Sequence, residues 1–306
     1  MLKYIVKRLL MMIPVILGIT LLVFGIMALA PGDPAQLIVG IEASFEQLEA
    51  KRHELGLDQP FLVRYGNYII NILHGDFGKS WLTGRDILKE FFIRLPNTLI
   101  VGLLSLAICS IFGIILGVIA AIRQHHIIDY TSLAIALIFS SLPAFWTGLL
   151  AQIVFALNLH WFPASGSGSI LHYILPSFTL GAVSLGGMVR LTRSSMLDVI
   201  GQDYVRTARA KGATETQVIW GHVMRNGLMP VVTTIGNHFA HLFAGAVITE
   251  TVFGIGGIGT YMVNAVKGRD IPVVMGCLVF IAISVSIVNL LIDLIYVAID
   301  PRVKLN

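Results

Sequence analysis

The chain has 306 residues, of which 56% are hydrophobic and only 12% charged, with a net charge of +4 and a mean hydropathy of +0.84. A soluble domain carries roughly twice that charged fraction, so an ordinary water-soluble fold is excluded and the chain reads as a set of membrane spans. The small positive excess sits beside apolar segments and gives no ground for nucleic-acid binding, while Cys109 and Cys277 lie inside apolar stretches, as small core residues rather than a disulfide or metal pair.

Lys3, Lys7 and Arg8 precede an uncharged run from Leu9 to Ala30. At about 1.5 Å per residue that run can cross a bilayer. Ala28-Leu29-Ala30 resembles a signal-peptide cleavage site, but the run exceeds the roughly 7–15 residues of an h-region and Pro31 would follow the cut. Residues 1–30 are therefore the first transmembrane helix, with its basic N-terminus inside.

Residues 31–98 form a polar segment of mixed charge. Pro31-Gly32-Asp33-Pro34 is a turn that closes the first span. Ser44 to Leu55, with Glu46, Glu49, Lys51, Arg52 and Glu54, reads as a surface helix stopped by Gly56 to Pro60. Phe61 to Leu73 is amphipathic and aromatic, Gly75 to Ser80 is a second turn, and Arg85 to Arg94 is helical again. A solvated linker would not need Phe61, Tyr65, Tyr68, Phe77, Trp81, Phe91 and Phe92. The segment is expected to be a small external subdomain, packed as a cap on the outer mouth.

Residues 99–306 supply five more spans. Leu99 to Ile122 carries Gly113 and Gly117 at small-xxx-small spacing, which suits close helix packing. Thr131 to Leu157 is interrupted by Pro143. Asn158 to Tyr173 is an uncharged Gly/Ser turn. Ile174 to Val189, Leu228 to Val252 and Val273 to Ile299 complete the set, and a glycine-rich turn with a short helix fills 253–272. The expected fold is an all-α integral membrane protein of six transmembrane helices with both termini cytoplasmic. The inner side holds Lys3, Lys7, Arg8, Arg123, the basic residues of 190–227, Arg302 and Lys304, against Lys267 and Arg269 in the short outer loops.

The loop at 190–227 contains the one long basic stretch between spans. Tyr204 to Lys211 contains good helix formers and the small residues Ala208 and Ala210, Gly212 sits where a left-handed cap would stop the helix, and Thr214-x-x-Gln217 has the spacing of a capping box. Two readings stand side by side: a basic loop obeying topology rules, or a short helix offering small residues to a groove on a partner protein.

Asn237, His238 and His241 are the polar residues deepest in a span, with the histidines on one face. They either bond to a neighbouring helix or line a substrate path. Glu250 and Asp293 fall near span ends, where interfacial hydration would account for them, and His125 and His126 sit in a loop. Gly254-x-Gly256-x-x-Gly259 matches the dinucleotide fingerprint in letters only, since no βαβ unit surrounds it. No P-loop, H-E-x-x-H or G-x-S-x-G sequence occurs, so any ATP hydrolysis belongs to another chain.

Several segments, in order, resemble the membrane permease subunit of dipeptide, oligopeptide and nickel ABC importers. They are Pro31 to Pro34, Leu55 to Pro60, Gly75 to Gly78, Ile174-Leu175-Pro176, Arg193 to Met196, Asp203 to Gly212 and Arg225-Asn226. The resemblance covers nearly the whole chain. It implies that Asp203, Tyr204, Arg206, Thr207, Ala208, Arg209, Ala210, Lys211 and Gly212 form the coupling segment that docks on an ATPase. It further implies a second homologous permease subunit, two cytoplasmic ATPases and an external substrate-binding protein, in the bacterial inner membrane and surrounded by lipid. The chain itself would hold no cofactor or assigned metal and do no covalent chemistry. Small peptides are the expected substrate, with nickel or a nickel chelate as the alternative; a polytopic membrane enzyme or passive channel is the non-transporter alternative. Arg206-Thr207-Ala208 stand where the general importer loop has Glu-Ala-Ala, and Ile255-Gly256-Gly257 where relatives commonly carry Trp-Pro-Gly.

Overall fold

The computed structural model describes residues 2–29, 32–40 and 42–299, with the side chains of Lys3, of 239–245, of Asp293 and of a few further positions outside the description. Among the described residues the chain is helical, and extended backbone pairs at one isolated bridge, Lys79 with Asp86. α1 is Leu2–Leu29, α2 Pro34–Val39, α3 Phe45–Glu54, α4 Phe61–Leu73, α5 Ile87–Ile122 and α6 Ile127–Ser141. α7, Ala144–Ala151, continues as a π-helix over Gln152–Asn158. α8 is Leu171–Ile200, α9 Asp203–Ala210 and α10 Glu215–Gln217, which runs into a second π-helix, Val218–Val223. α11 is Met224–Gly227, α12 Met229–Phe253, α13 Ile258–Lys267 and α14 Ile271–Ile299.

Four helices, α1, α5, α8 and α14, are long and apolar enough to cross a membrane, and counting two bent pairs as one span each gives up to six. One pair is α6 with α7 and its π extension, turned by 102°; the other joins the end of α12 to α13 at 82°. Pro143 stands at the first corner. It cannot donate into a continuing helix, and Leu142 before it is extended. The interruption expected there is thus a full corner.

Two helices outrun the spans expected of them. α5 has 36 residues, starting at Ile87 rather than Leu99. α8 has 30 and continues beyond Val189 to Ile200. At about 1.5 Å per residue these are roughly 54 Å and 45 Å long, against a hydrocarbon core of about 30 Å. The division at residue 98 therefore falls inside one continuous helix. α5 and α8 pack closely where Gly113 and Gly117 lie against Met188 and Thr192; a Cβ on Gly117 would stand 2.5 Å from Thr192 Cβ.

The segment between α1 and α5 is ordered by specific contacts. Asp33 caps α2 through the Ala35 amide at 2.9 Å and receives Arg52 of α3 at 2.6 Å. Tyr65 of α4 donates to the Leu17 carbonyl at 2.9 Å, and Phe61, Tyr65 and Tyr68 gather on Phe24 of α1. Asp270, ahead of α14 and 3% exposed, accepts from Ser80 Oγ at 2.5 Å and from the Trp81 amide at 3.0 Å. Phe77 and Phe91 pack on Phe280 with ring centroids 4.2 and 4.5 Å away. Of the aromatic residues expected to be packed, Phe92 is the departure, at 58% exposed.

Glu250 corrects a second expectation. It is not hydrated at a span end but fully buried, at 0% exposure. Its carboxylate accepts from Thr98 Oγ1 of α5 at 2.5 Å and from the Thr260 amide in the first turn of α13 at 3.1 Å. A carboxylate at a helix N-terminus meets unpaired amides and the positive end of the dipole. Thr98 Oγ1 in turn accepts from the Ile258 amide at 2.9 Å, and Asn97 Nδ2 donates to the Gly256 carbonyl at 3.0 Å. Gly257 and Gly259 are small because this carboxylate needs the space: a Cβ on Gly257 would overlap it, and one on Gly259 would stand 2.9 Å from Oε2. Of the fingerprint-like glycines, Gly259 thus makes room for a buried acid, while Gly254 is the left-handed cap of α12 and Gly256 offers its carbonyl to Asn97.

Candidate functional site

The 190–227 element is built on the end of α8. Gln202 in extended conformation starts α9, Lys211 ends it, and Gly212 turns the chain at φ +84°. The expected capping box is present: the Gln217 amide donates to Thr214 Oγ1 at 3.4 Å, and the Thr214 amide to Gln217 Oε1 at 2.9 Å. Arg209 closes the loop with two hydrogen bonds to Glu215, at 2.8 and 3.2 Å. That guanidinium holds the Glu215 carboxyl below the usual carboxylate range.

One face of α9 is buried in the chain itself. Val205 is fully buried with Val218, Val223, Met196 and Ala121, and Ala208 packs half-buried against the same cluster. Tyr204 accepts a 2.9 Å hydrogen bond from Asn226, and Ser195 Oγ of α8 donates to the Gly227 carbonyl at 2.6 Å. Arg193, two residues earlier on α8, grips Asp129 of α6 with two hydrogen bonds of 2.7 and 2.8 Å. Asp129 is 1% exposed and also accepts from the His125 amide at 3.1 Å. The short helices, α8 and the start of α6 are thereby tied together.

The other face is open. Asp203, Arg206, Thr207, Arg209, Ala210, Lys211 and Gly212 are exposed, and so is Trp220 on the second π-helix, at 67%. Ala208, half-buried, turns toward the chain's own cluster rather than standing on the open face. The local pattern does not single out Trp220, because it follows Val218 and Ile219 and reads as one more apolar residue of the connection.

The three polar residues of α12 are not equally described. Asn237 is exposed, His238 is half-buried and hydrogen-bonded or otherwise paired, and the side chain of His241 lies outside the description. Gly236 turns toward α14, where an added Cβ would stand 2.8 Å from Ile292 Cγ2.

Two family models match. That of the binding-protein-dependent transport system inner membrane component covers residues 113–305, and that of the N-terminal part of such membrane components covers residues 1–102. The glutathione transport system permease protein GsiC of Escherichia coli K12 is 41% identical over 304 residues, 99% of each chain. GsiC of Salmonella typhimurium LT2 gives the same identity and coverage. Among solved structures, an inward-facing conformation of the MetNI methionine ABC transporter matches with a TM-score of 0.60 at 19% identity, covering 69% of this chain and 97% of that one. An amino acid ABC transporter with histidines matches with a TM-score of 0.55 at 14% identity, covering 68% and 93%. At those identities the likeness is one of fold.

Proposed function

The chain belongs to the family of binding-protein-dependent transport system inner membrane components, and we propose that it is the permease through which an ABC importer takes up small peptides. It is a multi-pass transport subunit and not an enzyme. The glutathione relatives favour a small peptide over a nickel chelate, because glutathione is itself a small peptide.

One observation carries the mechanism: α9 and the second π-helix expose a basic, Trp-bearing face while their inner face is fused to α8. In this reading one of the two cytoplasmic ATPases docks on that face, with Arg206, Arg209, Lys211 and Trp220 as the contacts. Their closure on ATP displaces the element as a unit. Ser195–Gly227 and Tyr204–Asn226 pass the displacement to α8, and Arg193–Asp129 passes it to α6. α8 then carries it to the opposite end of the bundle, where a second permease subunit and an external binding protein complete the path. Charge distribution supports the orientation, with the basic element inside. The test is peptide uptake by the reconstituted complex, set out at the end of the Discussion.

A further inference from the structure

We propose that α4 lies in the interface of the bilayer and that Arg64 holds the headgroup of a phospholipid there. On a helical projection α4 divides into three arcs. Phe61, Tyr65 and Tyr68 face α1 and α14. Leu62, Val63, Ile70 and Leu73 form a contiguous arc that nothing among the described residues covers, with exposures of 74, 47, 54 and 80%. Arg64, Asn67 and Asn71 make the remaining polar strip. An aliphatic arc beside a narrow polar strip is the pattern of a helix lying flat at a membrane surface.

Depth agrees with that pattern. α4 crosses α1 at Phe24, five residues before the end of α1 at Leu29, or about 7–8 Å along the axis. The α1 residues flanking the crossing, Leu21, Leu22 and Ile26, are themselves 42, 61 and 56% exposed, so the uncovered arc continues a lipid-facing surface. Tyr68 and Trp81 collect at that level, as aromatic residues do at the membrane–water boundary, while the Tyr65 hydroxyl reaches inward to the Leu17 carbonyl. The neighbouring α3 is the contrast: it is strewn with charge, as a helix in water should be. A protein partner is a poorer fit to the arc, which offers no aromatic, methionine or arginine anchor.

Arg64 is the single charge on α4. Its guanidinium sits 5.4 Å over the Phe24 ring, and no carboxylate among the described residues lies within ion-pair distance. It lines two adjoining clefts of about 370 and 450 Å³. The first also holds Asn67, the sealed and unpartnered hydroxyl-bearing Tyr68, and the carboxylates Glu54 and Asp76. In the second, Asp33 and Glu49 are taken up by Arg52. A half-buried guanidinium without an acid suits a phosphate; Glu54 is taken up by Lys51 at 2.8 and 2.9 Å, so it is Asp76, whose Oδ1 accepts from the Gly78 amide, that suits an ammonium group. The ligand class is therefore a zwitterionic aminophospholipid.

Nitroxide labels at positions 62, 70 and 73 of the complete transporter, reconstituted in phosphatidylethanolamine/phosphatidylglycerol vesicles, should collide with oxygen more than with an aqueous nickel chelate. Preference for the chelate overturns the interfacial placement, as does protection from both reagents, which would assign the arc to a protein partner. Native mass spectrometry of the complex tests the headgroup site. Arg64→Gln should lower phosphatidylethanolamine retention about tenfold, Arg64→Lys should lower it less, and inorganic phosphate should not displace the lipid. Equal retention by Arg64→Gln, or displacement by phosphate alone, overturns the site.

Discussion

Thr98 on α5 donates a 2.5 Å hydrogen bond to the buried carboxylate of Glu250 on α12, across 152 residues of sequence. The same hydroxyl accepts from the Ile258 amide, so one threonine and one glutamate bind three helices at the 82° bend between α12 and α13. Replacing Glu250 by Ala would orphan Thr98 Oγ1 and the Thr260 amide in a buried site, at about 1–3 kcal/mol for each unsatisfied group. Glu250→Gln keeps one acceptor and should cost less. Thermal unfolding of the detergent-solubilised complex is the check; equal melting of Glu250→Ala and wild type would mean that the bond does not hold the bend.

Ala208 and Trp220 should behave oppositely. Ala208 packs against the Met196–Val218 cluster, so Ala208→Trp overpacks the chain's own interior and destabilises it by roughly 1–3 kcal/mol even without partner subunits. Trp220 is exposed, so Trp220→Ala should leave the isolated chain as stable as before. It should instead weaken ATPase association by about 2 kcal/mol if it anchors the interface. Titration of purified ATPase onto the reconstituted permease measures this. Unchanged binding by Trp220→Ala moves the contact elsewhere.

Breaking the Arg193–Asp129 pair should be expensive, because Asp129 is 1% exposed and its charge would be left without a cation. Arg193→Ala is expected to lose about 3 kcal/mol, at the lower end for a buried pair because Arg193 keeps some solvent contact. The double variant Arg193→Ala/Asp129→Ala should recover part of it. A double-mutant cycle by denaturant or thermal unfolding gives the coupling; additive losses would show that the two side chains do not depend on each other.

The Arg209–Glu215 pair gives a pH dependence of known sign. Arg209 lowers the Glu215 pKa in the folded element. The contribution is present above the ordinary glutamate value, near about 4.3, and is lost as pH falls through the lower folded value. Both groups are exposed, so the effect is local. Hydrogen exchange of the 209–217 amides, corrected for intrinsic rates, should quicken on acidification through that window, and Glu215→Gln should remove the change. The same acid response in Glu215→Gln would assign it to another group.

Much of the architecture is written in local patterns. Apolar runs place the long helices, Thr214 and Gln217 announce a capping box that forms, and Gly113 and Gly117 mark a close helix contact that exists. What stayed hidden depends on partners distant in sequence. Nothing near Glu250 reveals that Thr98 will meet it, and its place near a span end suggests water instead. The inward turn of Ala208 is fixed by the 0%-exposed Val205, Val218 and Val223, whose shared cluster is a tertiary fact. The corner at Pro143 is legible as an interruption, but its 102° is set by how α7 packs on α8 and α12. The family resemblance reached the class of protein, while the exposed face of the coupling element required coordinates.

The central claim is that this chain is the peptide-conducting permease of an ATP-driven importer, and uptake by proteoliposomes tests it most directly. The vesicles should hold the chain with its second permease subunit and ATPases, ATP inside the ATPase-facing compartment, and binding protein loaded with labelled glutathione or a dipeptide on the opposite side. The account predicts accumulation of label that requires both ATP and the binding protein and that falls sharply with Trp220→Ala. Label that equilibrates without ATP, as through a channel, or a fully assembled complex that hydrolyses ATP but carries no small peptide, would contradict it.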